Sequence, residues 1–386
     1  MPKKIFISTG EVSGDLQGGL LVEALYRQGQ ALGIDLDITA LGGARMAAAG
    51  AKLLGDTTEI GSMGLIEALR FVLPTLKVQG QAKAYLKEHP PDIVVLIDYW
   101  GPNSVIGGYI HKHLPSVPVI YYIAPQFWVW CPFPSDIKRV VRIVDRILAI
   151  FPEEARYFES KGAKATWVGH PLIDRMDQFP SRAEARATLG IKPEEKAIAL
   201  LPASRHQELK YLMPDMFQAA RKLQDCYPDL TFWIPLALPA YEARIEQAIA
   251  DYGLKATLVK DNPMAVLRAA DLAITKSGTV NIELALLDVP QVVIYRVSSF
   301  TYWAVRNLLR FPQIFISPTN LVVMRAIVPE LLQDNVTVEN IFQAAEEFLI
   351  SPQRLEQMQL DYQEVQKNLG SGGVGDRAAK EILQLL

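Results

Sequence analysis

The sequence predicts an α/β protein made of two doubly wound, Rossmann-like domains with a helical C-terminal tail. Three observations carry that prediction. Short continuous apolar runs such as Ile93-Val-Val-Leu-Ile97 recur along the chain, and strands buried on both faces of a parallel sheet read this way. Helix-period segments lie between those runs. The alternation pauses once, from Gly169-His-Pro-Leu-Ile-Asp174 through the polar, proline-bearing stretch Asp177 to Arg182, and then restarts. A length of 386 residues suits about two domains. The expected boundaries are 1–175, 176–335 and a set of helices over 336–386. Those helices are expected to pack back on the first domain or on a partner subunit.

Lys3 to Thr9 is the first strand. Gly10 permits a tight turn, Ser13, Gly14 and Asp15 suit a turn or a helix N-terminus, and Leu16, Leu20, Leu21, Ala24 and Leu25 set a helical period. A strand, a small-residue loop and a helix N-terminus make a natural place for an anion. The same pattern also opens α/β domains that hold no ligand there. No Gly-Lys-Ser/Thr follows, so the loop is not a P-loop, and the glycine spacing is not that of a dinucleotide fingerprint.

Asp37 to Leu41 is a second strand, ended by Gly42-Gly43, and Ala44 to Ala49 is a short helix closed by Gly50. Met63 to Lys87 is helical with an expected kink at Pro74. Strands follow at Ile93 to Ile97, Val117 to Ile123 and Arg146 to Ile150. After the pause come strands at Ala197 to Leu201, Thr231 to Pro235, Ala256 to Val259, Leu272 to Thr275 and Val292 to Tyr295. Helices are expected from Gln207 to Cys226, Tyr241 to Tyr252 and Thr279 to Leu287, and only helices after Val336.

Composition narrows the function classes. Half the residues are apolar and a fifth are charged, so large cores are expected and disorder is not. A net charge of -3 gives no general case for nucleic-acid binding. Cys131 and Cys226 fit no zinc or redox spacing and read as free thiols. His111 and His113 stand two apart, which does not suit a metal pair on a helix, and His170 before Pro171 reads as structural. The start, Met1-Pro-Lys-Lys, lacks the apolar core of a signal peptide, and no apolar run reaches the ~18 residues of a membrane span. A soluble protein, or one lying on a membrane surface, is expected.

In open α/β sheets ligands sit beyond the carboxyl ends of the strands. Asp98 ends the strand at Ile93. A carboxylate at such a mouth is open to desolvation and use as a general base, or serves as a helix cap. Ser204 and Arg205 follow Leu200-Leu-Pro-Ala, where Arg205 can clamp a phosphate or pair with Glu208. Ser277-Gly-Thr279 repeats the strand, loop, helix arrangement, and Glu283 lies one helical turn beyond Thr279. A diphosphate at that N-terminus and a ribose on Glu283 would suit a nucleotide, and a capped helix with an exposed glutamate is the plainer reading. Gln126-Phe-Trp-Val-Trp130 and Met63-Gly-Leu-Ile-Glu-Ala-Leu-Arg-Phe-Val-Leu73 are apolar stretches, either core or partly exposed to lipid.

Taken together these stretches resemble the lipid-A-disaccharide synthase family, inverting glycosyltransferases of the GT-B architecture, in which two such domains face across a cleft. The resemblance runs over nearly the whole chain. It rests on Gly10-Glu-Val-Ser-Gly-Asp15, Gly42-Gly-Ala-Arg-Met46, Met63-Gly64 with Glu67, Asp98 with Asn103, Tyr121-Tyr-Ile-Ala-Pro125 with Trp128 and Trp130, and Phe151-Pro152-Glu153. Val168-Gly-His-Pro171, Leu201-Pro-Ala-Ser-Arg205, Ser277-Gly-Thr279 with Glu283, Pro318-Thr-Asn-Leu321 and Ile327-Val-Pro-Glu-Leu-Leu-Gln333 complete it.

The resemblance implies transfer of 2,3-diacylglucosamine from UDP-2,3-diacylglucosamine to 2,3-diacylglucosamine 1-phosphate, giving a β-1,6-linked disaccharide 1-phosphate and UDP in lipid A biosynthesis. It implies Asp98 as base, Arg205 and the helix at Gly278-Thr279 on the leaving UDP, and no metal or other cofactor. It places Ser204, Ser277, Glu283 and Asn320 on the donor side, and Gly10, Glu11, Ser13, Gly14, Asp15 and Asn103 on the acceptor side. Met63, Leu65, Phe71, Leu73, Trp128 and Trp130 would meet acyl chains or the membrane. A cytoplasmic protein peripheral to the inner membrane, and a homodimer, are further implications. The chain departs from the usual family pattern at Asp98-Tyr-Trp-Gly-Pro-Asn103, at Pro202-Ala-Ser-Arg205 and at Cys131-Pro-Phe-Pro134. A divergent paralogue acting on another UDP-sugar or lipid, and a non-catalytic nucleotide- or lipid-binding protein, are the alternatives.

Overall fold

The computed structural model describes residues 2–58, 72–204, 206–308 and 315–386. The chain forms two compact units, Met1–Asp174 with Leu369–Leu386, and Arg175–Asn368.

The first unit holds β1 (Lys3–Ser8), β2 (Leu36–Gly42), β3 (Lys52–Asp56), β4 (Ile93–Ile97), β5 (Val119–Tyr122), β6 (Arg146–Ala149) and β7 (Ala165–Trp167). All pair in parallel in the order β3-β2-β1-β4-β5-β6-β7. Parallel neighbours need crossovers, supplied by α1 (Glu11–Leu32), α2 (Ala44–Ala48), α3 (described over Val72–Glu88), α4 (Trp100–His113), α5 (Pro134–Ile143) and α6 (Pro152–Ser160). Every residue of β4 is buried, as its unbroken β-branched and apolar sequence requires. The winding direction reverses between β1 and β4. Crossovers therefore leave their carboxyl ends toward opposite faces and open a crevice there.

The second unit repeats the plan. It contains α7 (Arg182–Leu189), β8 (Lys196–Leu201), α8 (His206–Tyr211), α9 (Met213–Cys226), β9 (Leu230–Pro235), α10 (Glu242–Tyr252), β10 (Ala256–Val259), α11 (Pro263–Ala269), β11 (Leu272–Lys276), α12 (Val280–Leu286), β12 (Gln291–Tyr295), α13 (Ser299–Asn307), α14 (Pro318–Val323), β13 (Glu330–Leu332), α15 (Val338–Ile350) and α16 (Pro352–Leu369). Its strand order is β10-β9-β8-β11-β12-β13, again all parallel. The reversal falls between β8 and β11.

Local chemistry explains where the elements differ from expectation. One helix was expected over Gln207 to Cys226, and two form, because Pro214 cannot donate to the preceding turn and its ring crowds it. The strand expected from Val117 starts at Val119, after Pro118. The unexpected strands β3, β7 and β13 are short and only partly buried, so they lack an apolar run to announce them.

The C-terminal tail is divided. α15 buries Ile341, Phe342, Ala345 and Phe348, and packs on α9 and β12 within the second unit. On α16 the buried Tyr362 donates its hydroxyl to Val289 O at 3.1 Å. Only a last helix, α17 (Val374–Leu383), belongs to the first unit, where it lies along α1. There Arg27 Nη2 pairs with Asp376 Oδ1 at 2.6 Å, and Asp174 accepts the N–H groups of Gly373 at 2.7 Å and Gly375 at 2.9 Å at the start of α17.

Candidate functional site

The sharpest feature of the first unit is the turn between β4 and α4. Asp98 and Tyr99, both non-glycine, take φ of +46° and +45°, and Ile123 at the end of β5 takes +58°. A side chain in the left-handed region costs on the order of 1–3 kcal/mol and persists only where the surroundings hold it. Asp98 N donates to Ile123 O at 3.1 Å. The carbonyl of Asp98 accepts from Asn103 Nδ2 at 2.8 Å and from the Tyr121 hydroxyl at 2.6 Å. Asn103 Nδ2 also reaches Ile97 O at 3.0 Å, and Asn103 Oδ1 accepts from Ser8 Oγ at 2.7 Å.

The Asp98 side chain keeps contact with solvent. Dense protein around it nevertheless desolvates the carboxylate and raises its pKa, an effect the N–H of Tyr99 opposes. A carboxylate that substrate can reach and that holds a proton more readily than usual suits base catalysis. Asn103 corrects the expectation placed on it. It is fully buried and its amide is occupied by the main chain and Ser8, so it has no face for an acceptor.

The β1–α1 loop approaches this turn. A Cβ on Gly10 would lie 2.2 Å from Cδ1 of the Tyr99 ring, so glycine is required by close approach. Glu11 takes φ of +70°, and its charge, after burial, raises the Tyr99 hydroxyl pKa. Gly14 is buried against Thr9, while Ser13 is exposed at the first turn of α1. Asp15 is a second correction. It is buried, its Oδ1 accepts from Gly43 N at 2.7 Å and Met46 N at 3.1 Å, and its Oδ2 accepts from Arg45 N at 3.0 Å. Those contacts cap α2 and leave little to offer a substrate.

Behind the loops sits Glu154, which sequence reasoning passed over although a proline followed two residues later by glutamate is a helix-start signature. Its Oε1 accepts from Ala124 N at 3.1 Å, and its Oε2 from Ile150 N at 2.8 Å and Phe151 N at 3.3 Å. Burial pushes its pKa up to about 8, against the pull of those three N–H groups and with some help from the Asp98 charge. His170 is buried and pushed down to about 3, and its Nδ1 accepts from Leu172 N at 3.2 Å. It is a neutral structural histidine.

Of the residues expected to meet lipid, Met63, Leu65 and Phe71 lie outside the described residues. Leu73 is 77% exposed and Leu76 57% exposed on α3. Trp128 is half-buried, with its ring 5.6 Å from that of Phe151. Trp130 is half-buried as well. Among the described residues no helix is long and apolar enough to cross a membrane.

In the second unit the loop after β11 is shaped from beneath. Asn281, fully buried, accepts from Gly278 N at 2.8 Å and donates to Lys276 O at 3.2 Å. Ser277 Oγ donates to Ile316 O at 2.8 Å, and Thr279 is exposed. Lys276 Nζ would stand 2.6 Å from a Cβ on Gly278, so a cation overlies this loop. Glu283 is held by Arg175, Nη1 to Oε1 2.8 Å. Burial raises its pKa and the charges of Arg175 and Lys276 oppose the rise.

Ser204 is exposed, and its N–H donates to Glu208 Oε2 at 2.6 Å, while Arg205 lies outside the described residues. Asn320 is a further correction. It is buried, its Oδ1 accepts from Ile327 N at 2.8 Å and Val328 N at 3.0 Å, and its Nδ2 donates to Val328 O at 3.0 Å and Glu330 Oε1 at 2.7 Å. It fastens the loop before β13 and cannot also orient a donor. Among the described residues no three histidine, cysteine, aspartate or glutamate side chains converge as a metal site would require.

Two parallel, doubly wound units with a helical C-terminal end, each with its polar loops at the carboxyl edge of the sheet, define the GT-B class. The S. aureus MnaA-UDP co-structure is similar in fold, with a TM-score of 0.67 over 100% of this chain and 98% of that one at 18% identity. Residues 5–382 match the family model described as lipid-A-disaccharide synthetase, and the chain belongs to that family of glycosyltransferases. It is similar to the lipid-A-disaccharide synthase of Gloeothece citriformis (strain PCC 7424), 56% identical over 98% of this chain and 99% of that one. It is also similar to the lipid-A-disaccharide synthase of Synechocystis sp. (strain ATCC 27184 / PCC 6803 / Kazusa), 49% identical over 99% and 97%.

Proposed function

We propose that this chain transfers 2,3-diacylglucosamine from UDP-2,3-diacylglucosamine to the 6-hydroxyl of 2,3-diacylglucosamine 1-phosphate with inversion, releasing UDP. The observation that carries the reading is Asp98. It is a solvent-reaching carboxylate with a raised pKa, set by a strained turn at the reversal point of the first sheet. Asp98 takes the proton of the acceptor hydroxyl as that oxygen attacks the donor anomeric carbon and the bond to UDP breaks. The β1–α1 loop, through Gly10, Glu11 and Ser13, borders the acceptor.

The donor belongs to the second unit. Lys276 and Arg205, with the N–H groups after Gly278, take up the charge that develops on the leaving UDP, so the reading assigns that task to protein groups rather than to a metal ion. Glu283, oriented by Arg175, accepts from the ribose hydroxyls. Leu73 and Leu76, exposed on α3, support contact with acyl chains and peripheral association with the cytoplasmic face of the inner membrane. A homodimer is part of the same reading.

UDP release from UDP-2,3-diacylglucosamine, followed with and without 2,3-diacylglucosamine 1-phosphate, tests it for wild type and Asp98→Ala. Acceptor-dependent release that falls at least ~10²-fold in the variant supports both the reaction and the base. Acceptor-dependent release that survives the substitution keeps the reaction and removes Asp98 as base. No release by folded wild type rejects the reading.

A further inference from the structure

We propose that Tyr121 and Asn103, the latter seated by Ser8, are positioning residues that hold the Asp98–Tyr99 turn left-handed and so aim the Asp98 carboxylate. The inference rests on the reading of Asp98 as the base.

Two consecutive non-glycine residues with positive φ do not persist unaided. Here the main-chain groups of Asp98 are fixed from two sides. Its carbonyl takes one hydrogen bond from the Tyr121 hydroxyl of β5 at 2.6 Å and one from Asn103 Nδ2 of α4 at 2.8 Å, which satisfies both acceptor sites of that oxygen. Its N–H is tied to Ile123 O at 3.1 Å. Ser8 Oγ, donating to Asn103 Oδ1 at 2.7 Å, fixes the orientation of the amide, because it leaves the Nδ2 end facing the two carbonyls of Ile97 and Asp98. Tyr121 and Asn103 are fully buried and Ser8 is nearly so. None of the three has surface for a substrate, and all three converge on one peptide unit. A relaxed turn would swing the Asp98 side chain off the sheet edge, and a shift of about 1 Å at a reacting group is enough to cost roughly 10²-fold in rate.

A double-mutant cycle separates positioning from general support of the fold. Tyr121→Phe and Asn103→Ala are made alone and on Asp98→Ala. Acceptor-dependent UDP release is measured for each, with UDP affinity by calorimetry as the control in the second unit. The expected result is a fall in kcat of about tenfold to 10²-fold for each single variant, with UDP affinity unchanged, and no further fall when either is added to Asp98→Ala. Equal fold-losses in both backgrounds overturn the proposal, as does an unchanged kcat in folded Tyr121→Phe. Should Asn103→Ala fail to fold, Tyr121→Phe carries the test, since it deletes one oxygen and keeps the ring. If Asp98→Ala alone keeps wild-type kcat, the base assignment fails and takes the positioning role with it. Equal losses beside an impaired Asp98→Ala remove the positioning role only.

Discussion

Arg175 and Glu283 form a largely enclosed ion pair, Nη1 to Oε1 2.8 Å, in which the first residue of the second unit orients the carboxylate one turn into α12. Neither partner is affordable there alone. Removing one charge of a buried pair leaves the other uncompensated at roughly 3–5 kcal/mol, and the residual solvent contact of this pair puts its value at or below that range. Arg175→Ala is therefore expected to destabilise the second unit in urea titrations, and Arg175→Ala with Glu283→Gln to recover part of the loss. If Glu283 receives a ribose, the single variant also raises the donor KM more than it lowers kcat. A donor KM equal to wild type in folded Arg175→Ala would separate Glu283 from the donor.

Gly10 and Tyr99 offer a steric test of the same crevice. An alanine Cβ would stand 2.2 Å from the Tyr99 ring, so the ring, itself on a left-handed backbone, has to move. Gly10→Ala should cost about 1–3 kcal/mol by overpacking and lower kcat by displacing the turn that carries Asp98. Adding Tyr99→Ala removes the clash, so part of the stability should return in thermal melts. Stability unchanged by Gly10→Ala would show that the ring gives way freely.

Asp15 separates structural from acceptor roles within one motif. Its carboxylate receives three N–H groups at the start of α2. Asp15→Asn should lower stability by about 1–2 kcal/mol, the scale of a lost helix cap, and leave the acceptor KM near wild type. A large rise in acceptor KM at unchanged stability would restore it to the acceptor side.

The strands were legible because a parallel sheet covered on both faces writes itself as unbroken β-branched runs, and Ile93 to Ile97 is such a run. From the end of that strand Asp98 followed directly. Asn103, Asp15 and Asn320 look equally functional in the sequence, since a polar residue beside a strand end reads the same whether it faces a ligand or a peptide group. Only the fold supplies the carbonyls and N–H groups that saturate them. Arg175 stood in a stretch that reads as linker, and its partner is 108 residues away, beyond any local pattern. Tyr121 falls in the strand expected over Val117 to Ile123, but the direction of its hydroxyl depends on how β5 and β4 register. The break at Leu212 was available in advance from Pro214.

Glu154 and His170 give stability a pH dependence with a definite sign. Glu154 moves from 4.5 in the unfolded chain to about 8 when folded. Between those values the unfolded state has lost the proton and the folded state keeps it. Raising pH therefore favours unfolding, by up to about 1.4 kcal/mol per pH unit. His170 moves the other way, from 6.5 to about 3, so between those values only the unfolded state is protonated and stability rises with pH. The two slopes oppose each other from roughly pH 4.5 to 6.5. Above 6.5 the unfolded chain progressively loses the His170 proton, so its opposing slope fades and the Glu154 slope prevails. Urea titrations from pH 6.5 to 8 should show stability falling in wild type and falling less steeply in Glu154→Gln. The difference in slope isolates Glu154 from other carboxyls, whatever the variant loses in overall stability. Parallel slopes would mean that the three N–H groups on this carboxylate keep it ionised throughout the window.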